Sequence, residues 1–381
     1  MLRRTSRPLA VVLLAVGVAT LLAFPALAHA APAVTFSAAG ERPAHAGPIC
    51  VIAADFNGDG RPELLASDEN NNSFDLYTQR SWDILHASAL VPAGAGPQTA
   101  VACDMNRDGK LDIVVALTGG DRLGVLLGHG DDTFDPAIET IVADAPRGLA
   151  VGDINHDGNL DAACTSDDGG LYVAYGDGTG HFSDVEGIPS GSGAGSVALA
   201  DLNADGWLDA AVACRDAGWV GVHLNSAGTL GARTAYYGTA HNPWEVRAGD
   251  MDRDGDIDLV TANMGETGGA ASVLPNLGNG VFDAAVAIGD EAGMRGSNVA
   301  LGDVDGNGTL DIALTDLDRA ELRVYRGDGD GSATLGTTLT GIDKASALTL
   351  ADLDRDGLLD LATASYSDTG TVRVFTNSTN V

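Results

Sequence analysis

The nine residues Asp104-Met105-Asn106-Arg107-Asp108-Gly109-Lys110-Leu111-Asp112 decide how this chain is read. Oxygen-bearing side chains stand at positions 1, 3, 5 and 9, glycine at position 6, and apolar residues at positions 2 and 8. The pattern also begins at Asp55, Asp153, Asp201, Asp250, Asp303 and Asp352, so successive copies lie 49, 49, 48, 49, 53 and 49 residues apart. A fixed period running the length of a chain marks one supersecondary unit repeated, each unit burying its apolar face on the next. The 381 residues would otherwise suggest two or three domains. Seven copies override that expectation and make a single array.

Outward from the loop, every unit has the same parts. A short alternating run precedes it, as in Ser196 to Ala200 or Ser297 to Gly302. A second apolar run follows it (Leu111 to Leu117, Leu208 to Ala213), then a third (Gly124 to Leu127, Val220 to Leu224). Glycine-rich turns such as Gly176 to Gly180 and Gly278 to Gly280 lead to a fourth run near Phe134, Phe182 or Phe282. Four short strands per repeat without helical periodicity describe one blade of a β-propeller. The expected fold is therefore all-β, a seven-bladed propeller of four-stranded blades. A two-sheet sandwich is the rival, but it would not repeat seven times.

Two details fit a closed ring. The residue before each loop is small (Ala54, Cys103, Gly152, Ala200, Gly249, Gly302 and Ala351), as expected where first strands converge on an axis. The seventh unit ends after its third strand, Thr371 to Thr376, and Val34 to Ala39 resembles a fourth strand. An N-terminal strand completing the last blade would remove both open sheet edges.

The loop residues have the chemistry of a hard-cation site. Asp55, Asn57, Asp59 and Glu63 form the first set, Asp104, Asn106, Asp108 and Asp112 the second, and Asp153, Asn155, Asp157 and Asp161 the third. Asp201, Asn203, Asp205 and Asp209 follow, then Asp250, Asp252, Asp254 and Asp258. Asp303, Asp305, Asn307 and Asp311, and Asp352, Asp354, Asp356 and Asp360, complete them. Alternate side chains of a tight loop converge, a carbonyl at position 7 adds an oxygen, and the glycine at position 6 permits the sharp turn, as in a shortened EF-hand loop. Carboxylates so close raise one another's pKa unless a cation lies among them. Up to seven Ca²⁺ ions are expected; Mg²⁺, which retains water, suits the loops less. A metal-free Asx-turn hairpin is the alternative for any single loop.

Asp-x-Asp/Asn-x-Asp-Gly-x-x-Asp loops at this period, with glycine-rich fourth-strand turns, resemble FG-GAP/VCBS repeats. The resemblance covers the chain after its leader. It implies the seven-bladed propeller of integrin α-subunits and many secreted bacterial proteins, with Ca²⁺ in the loops. The functions it implies are adhesion, lectin-like binding, or service as part of a polysaccharide-active enzyme. The Phe-Gly and Gly-Ala-Pro signatures of the integrin version are largely absent, so integrin-like partners are not implied.

Residues 1–30 read as a signal peptide: Arg3, Arg4 and Arg7, an apolar stretch from Leu9 to Leu27, and Ala28-His29-Ala30 as a cleavage site. Residues 31–381 are then the propeller, in a secreted or periplasmic protein. A membrane anchor is the alternative reading of the leader, although Pro25 and the small residues fit cleavage better. Losing the three arginines takes the formal charge from −32 to −35. Such acidity excludes a basic nucleic-acid surface and argues against docking on anionic lipid. No later stretch is long and apolar enough for a membrane span, and a monomer is expected. Cys50, Cys103, Cys164 and Cys214 are open to two readings, disulfide pairs or buried thiols.

No catalytic constellation is legible. The histidines occupy different places in different repeats, and neither a nucleophile elbow nor a phosphate loop occurs. The expected role is non-catalytic recognition of an extracellular glycan or protein. A polysaccharide lyase or hydrolase and a purely structural module are the alternatives. Arg326-Gly327-Asp328 spells an adhesion tripeptide but matches the hairpin position of Tyr175-Gly176-Asp177. Specificity is expected on the face opposite the loops, where Arg147, Arg215, Trp219, Trp244, Arg247, Arg295 and Arg319 vary within a regular frame. Six positions before each loop stand Ile49, Gln98, Arg147, Gly195, Trp244, Ser297 and Ser346, at the expected funnel mouth. Arg147, Trp244 and Arg295 are the expected binding residues for an acidic saccharide or carboxylate-bearing peptide.

Overall fold

A computed structural model describes residues 34–379 apart from 46, 81–82, 237–241, 266–268, 290–293 and 367–369. The expected signal peptide and its cleavage point lie outside the described residues. So do residues 266–268, within the segment Asn263 to Ser272 that is the longest insertion among the repeats.

Seven four-stranded antiparallel sheets follow one another, and each of the first six is one sequence repeat. Blade 3 shows the pattern: Pro146–Gly152, Asp161–Ser166, Gly170–Gly176 and Phe182–Pro189, paired in that order. The second strand of every blade is buried on both faces, as in Asp112–Leu117 and Asp209–Cys214. That is why these strands read as unbroken apolar runs rather than alternating ones. Both faces are buried because the core is divided among the seams between blades. Leu65, Phe74 and Leu76 of blade 1 pack with Ile113 and Val115 of blade 2. Val324 and Ala313 of blade 6 pack with Leu361 and Phe375 of blade 7.

The ring closes as expected. Phe36–Pro43 pairs antiparallel with Thr371–Asn377, from Phe36 opposite Asn377 to Pro43 opposite Thr371, and completes blade 7. Among the described residues the only helical element is a 3-10 turn at Thr118–Gly120, and no helix is long and apolar enough to cross a membrane.

Several expectations are corrected. The fourth strands of blades 2 and 5 begin at Ile138 and Val286, while Phe134 and Phe282 make isolated bridges to Gly128 and Asn276. In blade 2 the intervening Pro136 has no N–H to give a ladder. The glycines before the third, fifth and sixth loops have a more specific reason than approach to the axis. A Cβ on Gly152, Gly249 or Gly302 would lie 2.5–2.6 Å from the position-8 leucine of the next blade (Leu208, Leu310 or Leu359). Position 8 is thus a half-buried plug between blades, and the fully buried anchor is position 2, where Phe56, Met105, Ile154, Leu202, Met251, Val304 and Leu353 are at most 2% exposed. All four cysteines are free, three of them buried, and burial raises every thiol pKa.

Candidate functional site

The seven loops share one hydrogen-bond wiring. The position-1 carboxylate accepts the N–H of the position-6 glycine at 2.8–3.2 Å in every loop, from Gly60 on Asp55 to Gly357 on Asp352. Position 3 accepts the N–H of position 5, and position 5 that of position 7, as in Asn106 with Asp108 (2.9 Å) and Asp108 with Lys110 (3.0 Å). These successive Asx turns gather the oxygens at positions 1, 3 and 5 on the inside of the loop.

The chain must cross into left-handed backbone twice to do so. Position 6 is glycine throughout, with φ between 83° and 95°. Position 4 is also left-handed in all seven loops, and five residues there are not glycine: Arg107, His156, Ala204, Arg253 and Arg355. Three of these side chains reach the next loop. Arg107 lies over Gly158, Arg355 lies over Gly60, and the His156 ring stacks on Trp207 at 4.0 Å. Sequence reading missed this position, although glycine at Gly58 and Gly306 was a signal.

Position 9 is wired differently from the rest. Asp112, Asp161, Asp209, Asp258, Asp311 and Asp360 are fully buried. In each, one oxygen accepts the position-2 N–H and the other an N–H at the end of the third strand. For Asp209 these come from Leu202 (2.9 Å) and Asn225 (2.6 Å). The strand-end residue is glycine or asparagine. A Cβ at Gly128, Gly176 or Gly327 would meet the position-8 carbonyl at 2.0–2.1 Å. Asn225, Asn276 and Asn377 instead use their amides to grip the position-2 carbonyl of the preceding blade at 2.7–2.9 Å. Burial raises the pKa of these carboxyls against the lowering effect of the N–H donors, to about 6 in Asp209, Asp258, Asp311 and Asp360.

The first and sixth loops depart from the rule. In the first, Glu63 is a methylene longer and receives Asn57 as well as Phe56. Burial, and next Asp132 from the blade 2 hairpin, push its pKa to about 8. In the sixth, Arg326 donates to Asp305 at 2.8 Å, placing a cation beside the third-position carboxylate. The Arg-Gly-Asp tripeptide is therefore structural: Arg326 is held by Asp305, and Gly327 donates to Asp311 at 2.9 Å.

The donor set fits a cation. Position-1 Oδ1 is buried and without a partner in Asp153, Asp250 and Asp352. In the first, second, fourth and sixth loops that atom is capped by the position-5 N–H. Carboxylate oxygens of Asp250, Asp252 and Asp254, and of Asp352, Asp354 and Asp356, lie within 4.8 Å of one another. Asp303, Asp305 and Asp311 do the same. Orphaned buried oxygens facing like charges are what an oxygen-seeking divalent cation satisfies.

On the opposite face, where first strands begin, a funnel of about 670 Å³ opens on the axis. Ile49, Gln98, Arg147, Gly195, Trp244, Ser297 and Ser346 all line it, so the residues six before each loop do converge. Arg147 is held bidentately by Asp167, at 2.6 and 2.8 Å. Trp244 carries the Arg215 guanidinium 5.0 Å from its ring centroid, and Arg215 is held by Asp216. Deeper, Glu245 pairs with Arg247, and both bind the first strand of blade 6 at Val299. Lys344 and Tyr366 line the mouth on the blade 7 side. Arg295 is not among the lining residues. Its guanidinium donates to the Met264 carbonyl and to Asp318, both at 3.2 Å, tying two loops together. Arg215 takes the place expected of Arg295 because its guanidinium lies over the indole.

Six overlapping segments, 55–115, 104–164, 153–212, 201–261, 254–314 and 311–363, match the FG-GAP-like repeat. No curated protein matches the sequence. Among solved structures, BBS1N in complex with ARL6DN is similar at TM-score 0.64 and 14% identity, over 89% of this chain and 96% of that one. Virginiamycin B lyase from Staphylococcus aureus is similar at TM-score 0.62 and 11% identity, over 90% and 99%. An Agrocybe aegerita lectin that recognises non-reducing terminal N-acetylglucosamine is similar at TM-score 0.55 and 17% identity, over 87% and 86%. These likenesses concern the fold, whereas the repeat matches run through almost all of the propeller: the chain belongs to the FG-GAP-like repeat family.

Proposed function

We propose that this propeller is an exported, Ca²⁺-stabilised recognition module that binds an acidic saccharide or a carboxylate-bearing peptide in its axial funnel, without catalysis. The leader of Arg3, Arg4 and Arg7 followed by an apolar run supports export. The orphaned oxygens of Asp153, Asp250 and Asp352 support the ion.

The observation that carries the binding role is the funnel lining. The chain has a formal charge of −32, yet Arg147, Arg215, Arg247 and Lys344 line the funnel against Glu69, Glu245 and Asp318. Guanidinium groups converge here on one concave site, and those held by Asp167 and Asp216 keep further N–H groups to donate to a ligand. Arg147 and Arg215 are pre-oriented by their aspartates, and Trp244 adds an apolar face for a sugar ring. Binding proteins on this architecture include the lectin above, whose own ligand is a terminal sugar.

A glycan array that includes uronic and sialic acids, read beside a polysaccharide-degradation screen, tests the proposal. Binding that is lost in Trp244→Ala, with Ca²⁺-dependent melting unchanged, is the expected result. Equal binding by that variant refutes the funnel as the site. Turnover of a polysaccharide refutes the non-catalytic role.

A further inference from the structure

The seam where the ring closes carries a group of side chains that neither the loops nor the funnel uses. The segment after the N-terminal strand is pinned to both neighbours: Ala44 donates its N–H to Gly370 of blade 7 at 2.7 Å, and Tyr77 of blade 1 donates its hydroxyl to Pro43 at 3.1 Å. His45, next on this segment, comes down on two carboxylates of blade 1. Its Nδ1 is 2.7 Å from Asp75 Oδ1 and 3.8 Å from Asp68 Oδ2, and the three atoms lie within 4.8 Å of one another. Asp68 is 0% and Asp75 7% exposed. Asp75 also accepts the His45 N–H at 2.9 Å, and Asp68 accepts the backbone and side-chain N–H groups of Asn71 at 3.1 and 2.6 Å.

A fourth oxygen lies on the same face of the sheet. Ser73 pairs directly with Asp68 across the sheet, and Ser73 and Asp75, two apart on one strand, point to the same face. Ser73 is 6% exposed, and its hydroxyl has no partner among the described residues. A buried hydroxyl left open on the sheet face that carries both carboxylates calls for a ligand.

We propose that His45, Asp68, Asp75 and Ser73 form a Zn²⁺ site that locks the closing segment onto blade 1. Two buried carboxylates converging on one imidazole match a divalent cation in charge. The donor set selects the metal: imidazole nitrogen with carboxylates suits Zn²⁺, while Ca²⁺ and Mg²⁺ take oxygens alone. The imidazole is 49% exposed, so an ion can arrive from solvent.

The test uses the full propeller, stripped with chelator and returned to saturating Ca²⁺ so that the loops do not compete. Calorimetric titration with Zn²⁺ is expected to show one site, with affinity falling at least about a hundredfold in His45→Ala and Asp75→Asn, beyond the usual effect of outer-shell changes. Zn²⁺ should raise the melting temperature of the parent protein and not of His45→Ala. Absence of Zn²⁺ binding by the parent, or equal binding by both variants, overturns the proposal. Should the variants fail to fold, Zn²⁺ protection of His45 in the parent against diethylpyrocarbonate, mapped by mass spectrometry, decides instead. Protection supports the site and unaltered labelling overturns it. None of these outcomes depends on the funnel or its ligand.

Discussion

Replacing Asp209 by asparagine asks whether the ninth loop residue holds a blade together before any ion arrives. Asp209 is 0% exposed and accepts two backbone N–H groups, from Leu202 at 2.9 Å and Asn225 at 2.6 Å. An asparagine can accept one of them with its carbonyl, but its amide then faces the other donor. One buried N–H is orphaned, which costs about 1–3 kcal/mol. Removing a charge whose burial raises its pKa to about 6 offsets a little of this. A net loss of about 2 kcal/mol should lower the melting temperature by about 3 °C in a chain of this size. Asp205→Asn is the comparison. Asp205 is exposed and accepts the Trp207 N–H at 2.9 Å and the Asn203 amide at 3.0 Å; an amide carbonyl keeps the first bond, and water replaces the second. In chelator Asp205→Asn should melt within about 0.5 kcal/mol of the parent. In millimolar Ca²⁺ it should lose part of the ion-dependent shift, because the loop has lost a ligand charge. Differential scanning calorimetry of the three proteins, in chelator and in Ca²⁺, separates the roles. Equal melting of the two variants in chelator would refute the reasoning.

The metal-free protein should be more stable near pH 5 than near pH 8. Asp209, Asp258, Asp311 and Asp360 have folded pKa values of about 6 and Glu63 of about 8, all raised by burial, so the native state binds the extra protons. Their contribution is full below the unfolded pKa and is lost as pH rises through the folded one; saturating Ca²⁺ should reverse the order, and melting curves at both pH values check it. Ala204→Gly should stabilise the metal-free protein by up to about 1 kcal/mol, because Ala204 is held at φ 58°; destabilisation in urea unfolding would speak against strain at position 4. The sixth loop should take Ca²⁺ more weakly than the fifth and seventh, since Arg326 already sits on Asp305. Arg326→Ala should tighten it, and an unchanged calcium titration would show that the guanidinium does not compete.

Much of this protein is legible in one dimension because its structure is a local unit repeated. Each loop is nine consecutive residues whose Asx turns depend on near neighbours, so the loop conformation, the glycine turn and the blade count all follow from spacing. Strand closure was legible too, since an unfinished seventh repeat and a spare N-terminal strand are complementary. Other features depend on contacts between segments far apart in sequence. The position-9 aspartate is expected from spacing to be a metal ligand, but only the third strand, 16 residues on for Asn225, shows that it ties the blade together. Position 4 is left-handed because the loop closes on itself, and its side chain matters through the next loop. The funnel residues share a frame position that sequence reading could find, but which arginine stacks on Trp244 is set by loop geometry, so Arg215 lies there and Arg295 does not. His45, Asp68, Ser73 and Asp75 carry no motif at all; only the closing of the ring brings that histidine onto blade 1.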